Sequence, residues 1–78
     1  MTTRSATEAM HIITNSGKVF NMLITQQQNN TWIATVIYEI NSTLQHENIH
    51  QYDRNSAYQT ACDFIKNNID RLATIQPL

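Results

Sequence analysis

Five consecutive residues, His46-Glu47-Asn48-Ile49-His50, match the pattern H-E-x-x-H. On a helix this spacing sets two imidazoles on one face to hold Zn²⁺, and the Glu between them polarises a bound water as general base. A hydrolytic zinc centre also needs a third protein ligand, ordinarily supplied downstream. The chain has no His after His50 and no Glu after Glu47, which leaves Asp53, Asp63 and Asp70. The last two fall on the polar side of a C-terminal amphipathic segment. Between residues 44 and 52 the only apolar side chains are Leu44, Ile49 and Tyr52, so the segment reads as strand or loop and not as a core helix. In a strand His46 and His50 share one face about 13 Å apart, too far to share one ion. His46, Glu47 and His50 are therefore the metal candidates of an alternative reading, a zinc-dependent hydrolase, and no catalytic residue or cofactor is expected in the main one.

Other chemically capable side chains lack neighbours. His11 lies in a short strand pattern and reads as an edge or surface residue. Cys62 sits at the rim of an apolar helical arc, where a free thiol behaves as a small buried hydrophobe. With no base or cation placed to lower its pKa, it does not read as a nucleophile. Trp32, at a strand start, reads as a core anchor. Gly17 stands alone, which excludes a phosphate-cradling loop.

The elements that carry these residues follow from periodicity. Met10–Thr14 is a short strand ending at Asn15-Ser16-Gly17-Lys18, where Gly17 supplies the positive φ of a tight turn. Val19–Gln26 places Phe20, Met22 and Ile24 on one face and Val19 and Leu23 on the other. Gln27–Asn30 reads as a hairpin loop, since Asn tolerates the left-handed region. Thr31–Ile40 alternates Trp32, Ala34, Val36, Tyr38 and Ile40 against Ile33, Thr35, Ile37 and Glu39. Asn41-Ser42-Thr43 breaks the pattern before a weaker segment, Leu44–Tyr52.

From residue 54 to 75 the period changes to that of a helix. At 100° per residue Ala57, Tyr58, Ala61, Cys62, Phe64, Ile65, Ile69 and Leu72 gather on one side, the mark of an amphipathic helix laid on a core. Asp53 is the expected N-cap, with Ser56-x-x-Gln59 as a competing capping box. Pro77 marks the stop. The expected fold is α+β: an antiparallel sheet of three or four strands (9–52) with one C-terminal helix (54–75) on one face, preceded by a flexible tail (1–8). The 78 residues hold one domain.

Composition narrows the function classes. Asn and Gln number 16 and Thr 10, whereas Asp, Glu, Lys and Arg together make only 14 % of the chain. A net charge of −1 excludes a polybasic nucleic-acid arm. The longest apolar runs are far short of the roughly 20 residues that span a bilayer. The N-terminus lacks the apolar core of a secretory signal, and a lone Cys fits a reducing compartment, so a cytoplasmic, soluble protein is expected.

A strand pair followed by Trp32-x-Ala34-x-Val36, and then Ala57, Ala61, Ile65, Ile69 and Asp70 on a helix, resembles small bacterial β-meander-plus-helix proteins of uncharacterised function. The likeness covers roughly residues 17–72 and carries no catalytic residues. The same arrangement is similar to the N-terminal domain of HicB-type antitoxins, a resemblance that implies a three-stranded sheet and helix binding a toxin partner. That family's Pro- and Gly-containing segment after the Trp strand has no counterpart here. The order of elements also resembles the double-stranded-RNA-binding domain, but Asp53-Arg54-Asn55-Ser56 lacks the Lys residues with which that module contacts phosphate.

One helix covers one face of a sheet. If Trp32, Ala34, Val36, Tyr38 and Ile40 meet it, then Val19, Leu23, Ile33 and Ile37 face the other way. These four are the expected interface. A non-enzymatic module that associates with itself as a homodimer, or with a protein partner, is the leading expectation, with no nucleic acid and no membrane. The alternative cover for that face is the N-terminal segment folding back over it.

Overall fold

The computed structural model describes residues 7–78. Five strands form one antiparallel sheet in the order β4-β3-β2-β1-β5, and one helix lies against it. The strands are β1 (Thr7–Ile13), β2 (Val19–Gln26), β3 (Trp32–Ile40), β4 (Thr43–Gln51) and β5 (Thr74–Pro77); helix α1 (Arg54–Asn68) comes between β4 and β5.

The meander is closed by three short turns whose residues match their geometry. Gly17 (φ 90°) and Asn30 (φ 67°) take the left-handed position that ends a three-residue hairpin loop. In each loop an i to i+3 bond closes the turn: Gly17 N–H to Thr14 O at 2.9 Å, and Asn30 N–H to Gln27 O at 3.0 Å. Asn41 (φ 51°) and Ser42 (φ 65°) form a two-residue turn with both φ angles positive, the type whose twist suits a hairpin.

Helix α1 starts at Asp53, whose Oδ1 accepts from the Ser56 N–H at 2.8 Å while Oδ2 accepts from the Ser56 hydroxyl at 3.1 Å. Its inner stripe, Ala57, Ala61 and Ile65, is fully buried against Met22, Ile24, Ala34 and Val36. Alanines on both sides of this contact let the helix approach the sheet closely. Tyr38 and Phe64 seal the side of the same layer edge to face, with ring centroids 5.7 Å apart. β1 adds the buried Met10 and Ile12.

The fold class is α+β, with two corrections to the expected architecture. The sheet has five strands and not three or four, and the helix is mid-chain, ending at Asn68 and not at residue 75. Its end is a capped stop. The N–H groups of Ile69 and Asp70 both donate to Ile65 O, at 2.8 and 2.9 Å, which turns the chain out of the helix. The Asp70 carboxylate then accepts the Leu72 N–H at 3.0 Å, and the Ala73 N–H donates to Asp70 O at 3.1 Å. Thr74–Pro77 leaves this turn as an edge strand on β1, with Ile75 opposite Ile12. Leu72, placed on the apolar arc by helical spacing, is 66 % exposed because the helix stops before it. Ile40 is likewise 45 % exposed and lies outside the covered stretch of β3.

Of the expected tail, 1–8, Thr7 and Glu8 belong to β1, and residues 1–6 lie outside the described residues. Residues 7–13 pair with β2 inside the sheet and so do not fold over its second face.

Candidate interaction surface

Strand parity and register decide which side chains share the face away from α1. Across β2, β3 and β4 the rows on that face are Thr25–Ile33–His50, Leu23–Thr35–Asn48 and Asn21–Ile37–His46. Across β1 and β2, Ala9 lies opposite Leu23, His11 opposite Asn21 and Ile13 opposite Val19. The sequence-derived quartet is therefore brought to one face. Leu23 lies diagonal to both Ile33 and Ile37, and Val19 stands farther along β2 beside Ile13. Val19 is 55 % exposed, and Leu23, Ile33 and Ile37 are half-buried by neighbouring side chains of the sheet itself. Helix α1 packs on the opposite side.

Ile13 joins this surface although the sequence reading did not single it out. The signal for it is the alternation in β1, where Met10 and Ile12 point to the core and His11 and Ile13 away. All three histidines of the chain, His11, His46 and His50, are on this face as well.

The H-E-x-x-H residues lie in β4, so the geometry is that of a strand. His46 is opposite Ile37 and His50 opposite Ile33, on the open face and about 13 Å apart along the strand. Glu47 is opposite Val36 and so belongs to the other face of the sheet. The arrangement that lets a glutamate polarise water on a two-histidine zinc ion is a property of the helical spacing, and β4 does not have it. Among the described residues no three His, Cys, Asp or Glu side chains cluster as a metal site.

Cys62 is buried on the inner side of α1, and burial pushes its thiol up, with the nearby Lys66 charge and a Tyr58 hydrogen bond acting weakly the other way. Burial likewise raises Tyr58, which lies under the Arg54 guanidinium at 5.6 Å.

A shallow groove at the turn end of the sheet is lined by Thr14, Lys18, Glu39 and Asp70 beside Phe20 and Ile40. Of the two carboxylates that line it, Glu39 and Asp70, the second is committed to the backbone. Asp70 accepts the N–H of Asn15 and that of Leu72, and these bonds hold its carboxyl below the usual range. The Thr14 hydroxyl accepts the Lys18 N–H at 3.0 Å. These groups stitch the β1–β2 turn to the end of α1.

No helix among the described residues is long and apolar enough to cross a membrane. Comparison with known protein families, with curated proteins and with solved structures gave no match.

Proposed function

We propose that the protein acts by protein–protein association, without catalysis or a cofactor, and that the open face of the sheet is its contact surface. The observation that carries this reading is the set Val19, Leu23, Ile33 and Ile37 on the face opposite α1. An antiparallel sheet that leaves one face to water ordinarily makes that face polar. Here β-branched and aliphatic side chains alternate with Thr and Asn, and covering them with a partner removes apolar area from water at roughly 25 cal/mol per Å². The low density of charge favours contact by shape and burial over electrostatic steering. The resemblance to the toxin-binding domain of HicB-type antitoxins supports a protein as the partner, and the single cysteine supports a cytoplasmic setting.

The test is a capture experiment from the native host with the wild-type chain and with Ile33→Glu/Ile37→Glu, both immobilised at equal density. The substitutions fall on the open face, so circular dichroism and melting behaviour should stay close to wild type. A partner retained by the wild type and lost by the variant is the expected result. Identical capture by both removes the open face as the contact surface.

A further inference from the structure

The two edges of the sheet are built differently. β5 has four residues and ends at Pro77, which has no N–H to offer. β4 has nine residues, no Pro, no Lys and no Arg, and a single charged side chain, Glu47. The turn at Asn41-Ser42 pairs Ile40 with Thr43, and hydrogen-bonded pairs alternate from there. Thr43, Gln45, Glu47, Ile49 and Gln51 therefore turn their backbone groups toward β3, and Leu44, His46, Asn48 and His50 turn theirs outward. Helix α1 lies over β3, with β4 and β2 on either side, and among the described residues no strand pairs with the outer edge of β4. A long edge with neither charge clusters nor Pro is an open template for another strand.

The residues on this edge read nearly the same in both directions. About Asn48, Gln45 mirrors Gln51, His46 mirrors His50, and Leu44 mirrors Tyr52. Leu44 is 72 % exposed and Tyr52, just past the strand, is 87 % exposed. Two copies of such a strand, laid antiparallel about an axis at Asn48, bring like side chains together at positions 45/51, 46/50 and 44/52, while Glu47 meets the partner's Ile49.

We propose that a second copy of this chain docks on β4 in this register and joins two five-stranded sheets into one. The inference rests on the reading that the chain works by association, and it names one partner. His46 then faces the partner's His50, Leu44 faces the partner's Tyr52, and Asn48 meets its own copy on the axis. The Oδ1 of Asn48 already accepts the Thr35 hydroxyl at 2.8 Å, which leaves the amide N–H₂ to donate across the axis. The neighbouring register, centred on Glu47, sets two carboxylates directly opposite each other and is disfavoured for that reason. Because the axis runs perpendicular to the sheet, both helices lie on one side. The row ending in Ile33 and His50 runs on into the partner's His46 and Ile37, so the two open faces become one.

Sedimentation equilibrium of the pure protein at tens of micromolar tests the proposal. The wild type should sediment as a dimer. Asn48→Pro removes an outward N–H and no bond to β3, and it should halve the mass with an unchanged circular dichroism spectrum. His46→Lys/His50→Lys, which sets like charges opposite each other, should do the same at low salt and serves if the proline variant does not fold. Asn48→Cys should form a disulfide-linked dimer on mild oxidation, because the Cα atoms of a hydrogen-bonded antiparallel pair, about 5.5 Å apart, are within disulfide reach. Glu47→Cys should not. A strict wild-type monomer overturns the proposal, as does a dimer untouched by both edge variants. A dimer dissolved by Ile33→Glu/Ile37→Glu and not by the edge variants also overturns it, yet supports the open face as the contact surface. Cross-linking through residue 47 and not residue 48 overturns the register.

Discussion

Arg54, the first residue of α1, forks onto Glu8 in the first strand, its Nη2 donating to Oε1 at 2.8 Å while Nε donates to Oε2. The pair ties the start of the helix to β1, which α1 otherwise barely touches. Both side chains are more than a third exposed, so solvent screening limits what the pair contributes. The guanidinium hydrogen bond holds the Glu8 carboxyl below its ordinary 4.5. A carboxylate with a lowered folded-state pKa stabilises the fold above its unfolded pKa, and the contribution is lost as pH falls through the lower folded value. Glu8→Gln should cost less than about 1 kcal/mol near pH 7. The difference between variant and wild type in urea unfolding should shrink as pH falls below the ordinary carboxylate range.

Ile65 is fully buried at the centre of the helix–sheet contact. Ile65→Ala leaves a cavity between α1 and the sheet and should destabilise by about 2–5 kcal/mol. A domain of this size has only about 5–15 kcal/mol in total, so the variant should be partly unfolded at 37 °C in thermal melts.

Ser42 occupies the second left-handed position of the β3–β4 turn at φ 65°. A side chain there carries a steric cost that glycine does not, and Asn-Gly is the preferred pair for this turn. Ser42→Gly should stabilise the protein by roughly 0.5–1 kcal/mol, measured as a higher urea midpoint at unchanged slope.

Cys62 is 9 % exposed, and its thiol is pushed up by burial. Both effects suppress the thiolate, which is the reacting form. A thiol reagent at neutral pH should modify the folded protein at the rate of local opening and the urea-unfolded protein at once. Fast single-phase labelling of the folded chain would contradict the packing described for α1.

The sheet's covered face was legible because Trp32, Ala34, Val36 and Tyr38 alternate without interruption. The start of α1 was legible from Asp53. The end of α1 was hidden, since Ile69 and Leu72 keep helical spacing although the backbone has already turned at Asp70. β5 was hidden for a related reason: four residues are too few to show a period, and what makes them a strand is the edge of β1, a partner some sixty positions away. For the candidate surface, the odd residues of β2 and β3 could be read from alternation alone. The same alternation turns Ile13 away from Met10 and Ile12, but only the register of β1 with β2 sets it beside Val19. The mirrored pattern around Asn48 acquires meaning only once β4 is seen to be an edge strand, a fact of topology that no local window contains.

The pairing of β5 with β1 has a consequence for the order in which the molecule assembles. Each hairpin from β1 to β4 joins neighbours in the chain and can close on the microsecond scale. Ile13 and Thr74, by contrast, meet only after the whole meander and the helix have been made. During synthesis β1 is made before its neighbours β2 and β5 and waits longest to have both its sides satisfied, and until then it is a sticky border in a crowded cell. A truncation before Thr74 should therefore show itself first as loss of yield through aggregation.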